Sequence, residues 1–247
     1  MSVPAKVSLL CLPCAGASAT MYLRWRALLP RWAQVVPVEL PGRGMRMGER
    51  FVDDFDALVE RLCDEQAEAM QGSFMLFGHS MGALLAYGMA QRLRERGRPL
   101  PLGLLASGSA APSLRDPGRL PAQRDDAALS ADLRKQGGTP EEVFASAELM
   151  RITLDTLGAD YRLCDSFAYT PQPPLPLPVH VFAGRQDDIE APRIEAWSAH
   201  AGGPFSLDWF DGGHFFLRQR EAAFLEALAR RAAQALAGGR HAPHAVA

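Results

Sequence analysis

The chain has 247 residues, with 26 Lys and Arg against 28 Asp and Glu, and a formal net charge of −2. Apolar residues make up 48% and charged residues 22%, an ordinary globular balance that excludes wholesale disorder. The near-neutral charge excludes a nucleic-acid binder that works by neutralising phosphates. Four cysteines (Cys11, Cys14, Cys63 and Cys164) are too few for a disulfide scaffold and point to a reducing, cytoplasmic setting.

At the N-terminus, Lys6, the apolar run Val7–Cys14 and Ala17–Ala19 imitate a signal peptide. The run is short, however, and Pro13 interrupts it, so it reads as a buried strand over Val7–Pro13. Cys11 and Cys14 form a C-x-x-C pair at the end of that strand. A redox pair belongs at a helix start, and Cys63 and Cys164 stand alone, so packing is the favoured role over redox or metal chemistry. No apolar run is long enough to span a membrane.

A helix is expected over Met21–Leu29, stopped by Pro30. A second strand is expected over Gln34–Leu40, and its internal Pro37 demotes it to an edge or a bulge. Residues 54–70 carry apolar positions at helical spacing behind Asp53 or Asp54 as cap. Ser73–Phe77 is a third strand, followed by Gly78–Gly82 and a helix over Ala83–Arg96; Leu100–Ser107 is a fourth. Such alternation predicts an α/β protein with a mostly parallel sheet and helices on both faces. Between 113 and 170 the strand signal disappears, which predicts a helical insertion. Pro171–Pro178 is a stiff return segment. Strands over Val179–Ala183 and Phe205–Phe210, then a helix over Phe215–Ala237, complete the pattern. The expected organisation is a core of 1–112 and 171–237, the insertion 113–170, and a disordered tail 238–247.

Gly78-His79-Ser80-Met81-Gly82 is a G-x-S-x-G segment between a strand and a helix. In that context it reads as a nucleophile elbow, a tight turn that exposes a serine hydroxyl at a helix N-terminus. A serine hydroxyl needs a base. Of the six histidines, His241 and His244 lie in the tail, His180 in a strand, His200 at a helix end, and His79 is adjacent to Ser80. His214, after the last strand on an Asp-Gly-Gly loop, is the candidate. Its orienting carboxylate is Asp187, beyond the C-terminal end of strand 179–183, with Asp188 as direct competitor. The order Ser, Asp, His is that of an α/β-hydrolase fold. The backbone N–H groups of Met81 and Ala15 are the candidate oxyanion donors.

The segments L-P-C-A-G-A (12–17), E-L-P-G-R-G-x-R (39–46), G-H-S-M-G (78–82), G-R-Q-D (184–187), Trp197 and D-G-G-H-F-F-L (211–217) together resemble the stand-alone, type II editing thioesterases of nonribosomal peptide and polyketide biosynthesis. Siderophore pathways of the pyochelin type are the nearest in pattern. Cys14 departs from that family, which often carries an aromatic residue or His there. The resemblance implies hydrolysis of acyl thioesters on the phosphopantetheine arms of carrier domains, clearing stalled or aberrant acyl groups. It implies acyl or peptidyl carrier domains as partners, and neither nucleic acid nor membrane. It implies no metal or dissociable cofactor, since phosphopantetheine belongs to the substrate. The insertion would be a helical lid over an acyl chamber, with Phe144, Leu149, Ile152, Leu157 and Phe167 as candidate lining residues or as ordinary lid packing. Arg43, Arg46 and Arg50 are either an attractive surface for an acidic carrier or a solvated loop, with Arg43 open to a structural role. A carboxylesterase or lipase with the same triad, a chain-releasing cyclase, and a carrier-binding module with an inert triad are the competing readings.

Overall fold

The structure is a computed structural model and describes residues 6–116, 118, 120 and 124–239. Six apolar segments pair into one parallel sheet: β1 (Val7–Leu12), β2 (Ala33–Pro37), β3 (Phe74–His79), β4 (Leu104–Ser107), β5 (Val179–Gly184) and β6 (Phe205–Phe210). Their order across the sheet is β2-β1-β3-β4-β5-β6. Pro37 ends an edge strand, where a residue without an N–H is tolerated.

Successive side chains on a strand point to opposite faces, and both faces are apolar here. Leu10, Leu12, Leu76 and Val181 join one core layer; Leu9, Cys11, Phe77 and Phe182 join the other. The first layer is covered by α2 (Phe55–Glu65) and α3 (Met81–Glu95), the second by α1 (Trp25–Leu28) and α9 (Glu221–Gly239). Asp54, not Asp53, caps α2: its Oδ1 accepts the Ala57 N–H at 2.8 Å. The insertion supplies α4 (Asp126–Gln136), α5 (Glu141–Phe144) and α6 (Ala147–Ser166); α7 (Ala191–Glu195) and α8 (Phe216–Gln219) are short. α4 and α6 share a small apolar cluster of Leu129, Leu133, Leu154, Leu157 and Tyr161, whereas Leu163 and Cys164 at the far end of α6 belong to the main core. The inserted segment thus forms an apolar cluster of its own at one end and joins the main core at the other.

Several boundaries differ from expectation. The helix expected over Met21–Leu29 is a 3-10 turn over Ala19–Tyr22 followed by the short α1, because the buried Tyr22 hydroxyl donates to the Leu12 carbonyl at 2.9 Å and holds that turn against β1. The fourth strand begins at Leu104 rather than Leu100, past Pro101, and α2 stops at Glu65. The C-terminal helix is broken at Arg220 into α8 and α9. α9 also buries Ala235 and Leu236 and continues to Gly239, so Gly238 and Gly239 are helical and not part of a disordered tail. Residues 240–247 of that expected tail lie outside the described residues. Among the described residues, no helix is long and apolar enough to cross a membrane.

His180, in β5, is buried with its Nδ1 2.7 Å from Ser206 Oγ. Burial, reinforced by nearby Arg231, pushes its pKa down to about 4. The unfolded chain takes up this proton near its ordinary value of about 6.5, whereas the folded chain does not until about 4. The His180 contribution to stability is therefore intact above about pH 6.5 and is lost as the pH falls towards 4. Urea unfolding at about pH 7 and about pH 5 should show a loss of stability in the wild type that is smaller in His180→Gln.

Candidate active site

β1 connects outward to β2, and β3 connects in the opposite direction to β4. The chain segments leaving the C-terminal ends of β1 and β3 therefore diverge, and a crevice opens between them, as it does wherever strand order reverses in an open α/β sheet. Ser80 sits at that crevice. It is the only non-glycine residue with positive φ among the described residues, at φ 56° and ψ −117°. Such a conformation costs of order 1–3 kcal/mol and needs surrounding structure to impose it. Two glycines allow it: a Cβ on Gly82 would fall on the Leu12 carbonyl, and one on Gly78 on the Gly82 carbonyl. The Ser80 N–H donates to the Ser107 carbonyl at 2.7 Å, which fixes the turn to β4.

His214 follows β6 and the Asp211–Gly213 loop, and it is 8% exposed. Its Nδ1 lies 2.7 Å from Asp187 Oδ2, and the Asp187 side chain is 1% exposed. Asp188 instead pairs with Lys135 at 2.8 Å and is 40% exposed. The two adjacent carboxylates are thereby distinguished: one is buried on the imidazole, the other faces solvent. His214 and Ser80 line one cavity of about 300 Å³. The His79 ring packs 5.0 Å from the His214 ring while its Nδ1 lies 3.0 Å from Ser107 Oγ, so it is part of the wall behind the site.

Met81 is the first residue of α3, so its N–H has no acceptor within the helix. Ala15, on the loop after β1, borders the same cavity as Ser80. The next residue, Gly16, donates its N–H to Asp160 Oδ2 of α6 at 2.8 Å. Arg43 grips both oxygens of Asp160 at 2.6 Å each, with side chains 6% and 2% exposed. Arg43 is therefore neither a solvated loop residue nor part of a docking surface. Arg46 is held by Glu49 and Glu65, which leaves Arg50 as the exposed member of that trio.

Of the five candidate lining residues, Leu157 borders the cavity. Phe167 packs on Phe55 at 4.8 Å between ring centroids, on the core side of the chain leaving α6. Phe144 lies under the Arg134 guanidinium, 4.0 Å from ring centroid to cation. Leu149 is exposed at the start of α6, and Ile152 is off the cavity-facing stripe. That stripe is Thr153, Leu157 and Tyr161, four residues apart, and the sequence reading missed its first and last members. Leu133 and Val143 from the insertion and Phe215 beside His214 also line the cavity. A second cavity of about 350 Å³ meets the first at Ala15, Ser80, Leu120 and Tyr161. Cys11 and Cys14 are both buried and free of disulfides, and burial pushes the Cys14 thiol up to about 12, opposite to what a reactive thiolate requires.

A family model described as a thioesterase domain matches residues 7–235. The chain belongs to the thioesterase family. Over 217 residues it is 36% identical to the thioesterase PikA5 of Streptomyces venezuelae, an alignment covering 87% of this chain and 76% of that protein. The RedJ thioesterase from the prodiginine biosynthetic pathway of Streptomyces coelicolor superposes with a TM-score of 0.81 at 38% identity, covering 90% of this chain and 89% of its own. The type II thioesterase BorB from the borrelidin biosynthetic cluster superposes with a TM-score of 0.82 at 38% identity, covering 95% and 94%. The fold is that of an α/β-hydrolase, and the enzyme is a thioester hydrolase.

The buried Asp187 and exposed Asp188 should separate cleanly in this thioesterase. Asp187→Asn is expected to lower kcat by roughly 10⁴-fold, because the imidazole loses the acceptor that sets its tautomer. Asp188→Asn should change kcat by less than about 3-fold. Steady-state hydrolysis of a thioester substrate reads both.

Proposed function

We propose that this thioesterase removes stalled or aberrant acyl groups from the phosphopantetheine arms of carrier domains in nonribosomal peptide and polyketide biosynthesis. The observation that carries the reading is the short His214–Asp187 contact beside a cavity whose wall includes the strained Ser80. The relatives PikA5, RedJ and BorB support the thioester class, and BorB and RedJ support the biosynthetic setting. Within that setting, the resemblance of the sequence motifs favours a siderophore pathway of the pyochelin type. Carrier domains of such synthases are the partners, and the cytoplasm is the compartment.

With Nδ1–H donated to Asp187, the second imidazole nitrogen is the one available to a hydroxyl. His214 takes the Ser80 proton as Oγ attacks the thioester carbonyl. The N–H groups of Met81 and Ala15 hold the oxyanion. The carbon–sulfur bond then breaks, and the pantetheine sulfur leaves, accepting the proton from His214. Water, deprotonated by His214, cleaves the acyl-serine ester and regenerates Oγ–H. The acyl chain lies in the cavity beneath α4 and α6, against Leu133, Val143, Leu157 and Phe215. These steps use side chains and backbone groups of this chain throughout, and phosphopantetheine arrives with the substrate.

A panel of acyl-loaded carriers assayed beside p-nitrophenyl esters of equal chain length tests the reading. Carrier thioesters should be hydrolysed to free acid with the higher kcat/KM, and Ser80→Ala should abolish at least about 10⁴-fold of that rate. A strong preference for the free esters, a cyclic product, or activity unchanged in Ser80→Ala would each contradict it.

A further inference from the structure

The contact between Asp160 and Arg43 is an expensive way to join two parts of a core. Taking two charges out of water is costly, and replacing a buried ion pair by well-packed apolar side chains is often neutral or stabilising. Arg43 Nε is in addition buried with no hydrogen-bond partner among the described residues. What the pair supplies is direction. Asp160 Oδ2 accepts the Gly16 N–H at 2.8 Å, and an Arg43 terminal nitrogen donates to the Ala17 carbonyl at 3.2 Å. Gly16 itself has φ +73°, with the position of its missing Cβ 3.3 Å from the Leu157 side chain, so the loop is pressed directly against α6. A further anchor, the Ala19 N–H to Glu39 Oε1 at 3.0 Å, holds the end of this loop. Ala15 is the residue immediately before the clamped pair of peptide groups, and it borders both cavities next to Ser80.

We propose that Arg43 and Asp160 are positioning residues for the reaction. Their fork fixes the loop after β1 in the conformation that presents the Ala15 N–H beside Ser80. Because Asp160 belongs to α6, the same contact sets the seat of the lid helix, so the oxyanion donor and the roof of the acyl cavity are registered by one ion pair. This rests on Ser80 as the nucleophile and Ala15 as a donor, and adds the residues that hold that donor in place.

The test compares Asp160→Asn and the apolar double variant Arg43→Met with Asp160→Leu. The double variant leaves no orphaned charge, so it carries the test should the single variant fail to fold. Asp208→Asn, which breaks the Arg231 pair between β6 and α9, serves as a control for an ion pair whose residues line neither cavity. Each folded variant at Asp160 should lose about 10-fold to 100-fold in kcat, with any rise in KM smaller than that loss. Affinity for a boronic acid, which forms a tetrahedral adduct on the serine, should fall by the same factor as kcat/KM, whereas Asp208→Asn should keep both at wild-type levels despite a lowered Tm. Wild-type kcat and boronate affinity in either folded Asp160 variant, or a rise in KM alone, would overturn the proposal. A wild-type enzyme inactive on carrier thioesters would defeat the proposed substrate and leave the boronate comparison to decide the positioning role by itself.

Discussion

The turn between β3 and α3 is the constraint on which the site depends. Helix α3 must leave the sheet at once, and it can do so only because Gly82 has no Cβ to meet the Leu12 carbonyl and Gly78 none to meet that of Gly82. The backbone between those glycines is forced into a conformation that a side-chain-bearing residue rarely adopts, and Ser80 bears it. The strain is balanced by what surrounds it: a fully buried β3, the Ser80 N–H bound to β4, and an α3 buried along most of its length. The hydroxyl is thereby placed at a fixed point, with helical N–H groups behind it and the crevice of the strand-order reversal in front.

Around that fixed point the other groups arrive from the C-terminal ends of separate strands. β5 delivers Asp187 and β6 delivers His214, while β1 delivers Ala15. Each is secured by a contact of its own: the imidazole by a carboxylate that is almost wholly buried, and the β1 loop by the Arg43–Asp160 fork. The insertion is tied into the body of the fold. The end of α6 shares the main core through Leu163 and Cys164, so α6 lines the chamber with Leu157 and Tyr161 while its other end is built into the core.

The strands, their order of appearance, and Ser80 and His214 as candidates were legible because each leaves a local mark: apolar runs, glycines around a serine, a histidine on a Gly-Gly loop. The sequence favoured Asp187 but kept Asp188 as a competitor, because adjacent carboxylates in one loop differ chiefly in which way they face, and that is what burial of one and exposure of the other distinguishes. The lining residues were harder still. Leu149 and Phe167 are apolar and lie on or next to the right helix, but the cavity sees a stripe of α6 about two turns long, and that stripe includes the polar Thr153 and the hydroxyl-bearing Tyr161. Which stripe faces inward is set by how α4 and α6 pack together, a tertiary fact with no local signature. Arg43 illustrates the same point from the opposite direction. It sits in a Pro-Gly-Arg-Gly loop that reads as solvated, and it is buried only because Asp160, far along the chain, reaches it.

The central claim is that the hydroxyl held in the strained turn is the group that reacts, and that the imidazole of His214 makes it reactive. Labelling with a fluorophosphonate followed by peptide mapping tests this most directly. The account predicts a single adduct on the peptide carrying Ser80, formed rapidly in the wild type and suppressed in His214→Ala. An adduct on a different residue, no adduct at all, or undiminished labelling without the imidazole would contradict it.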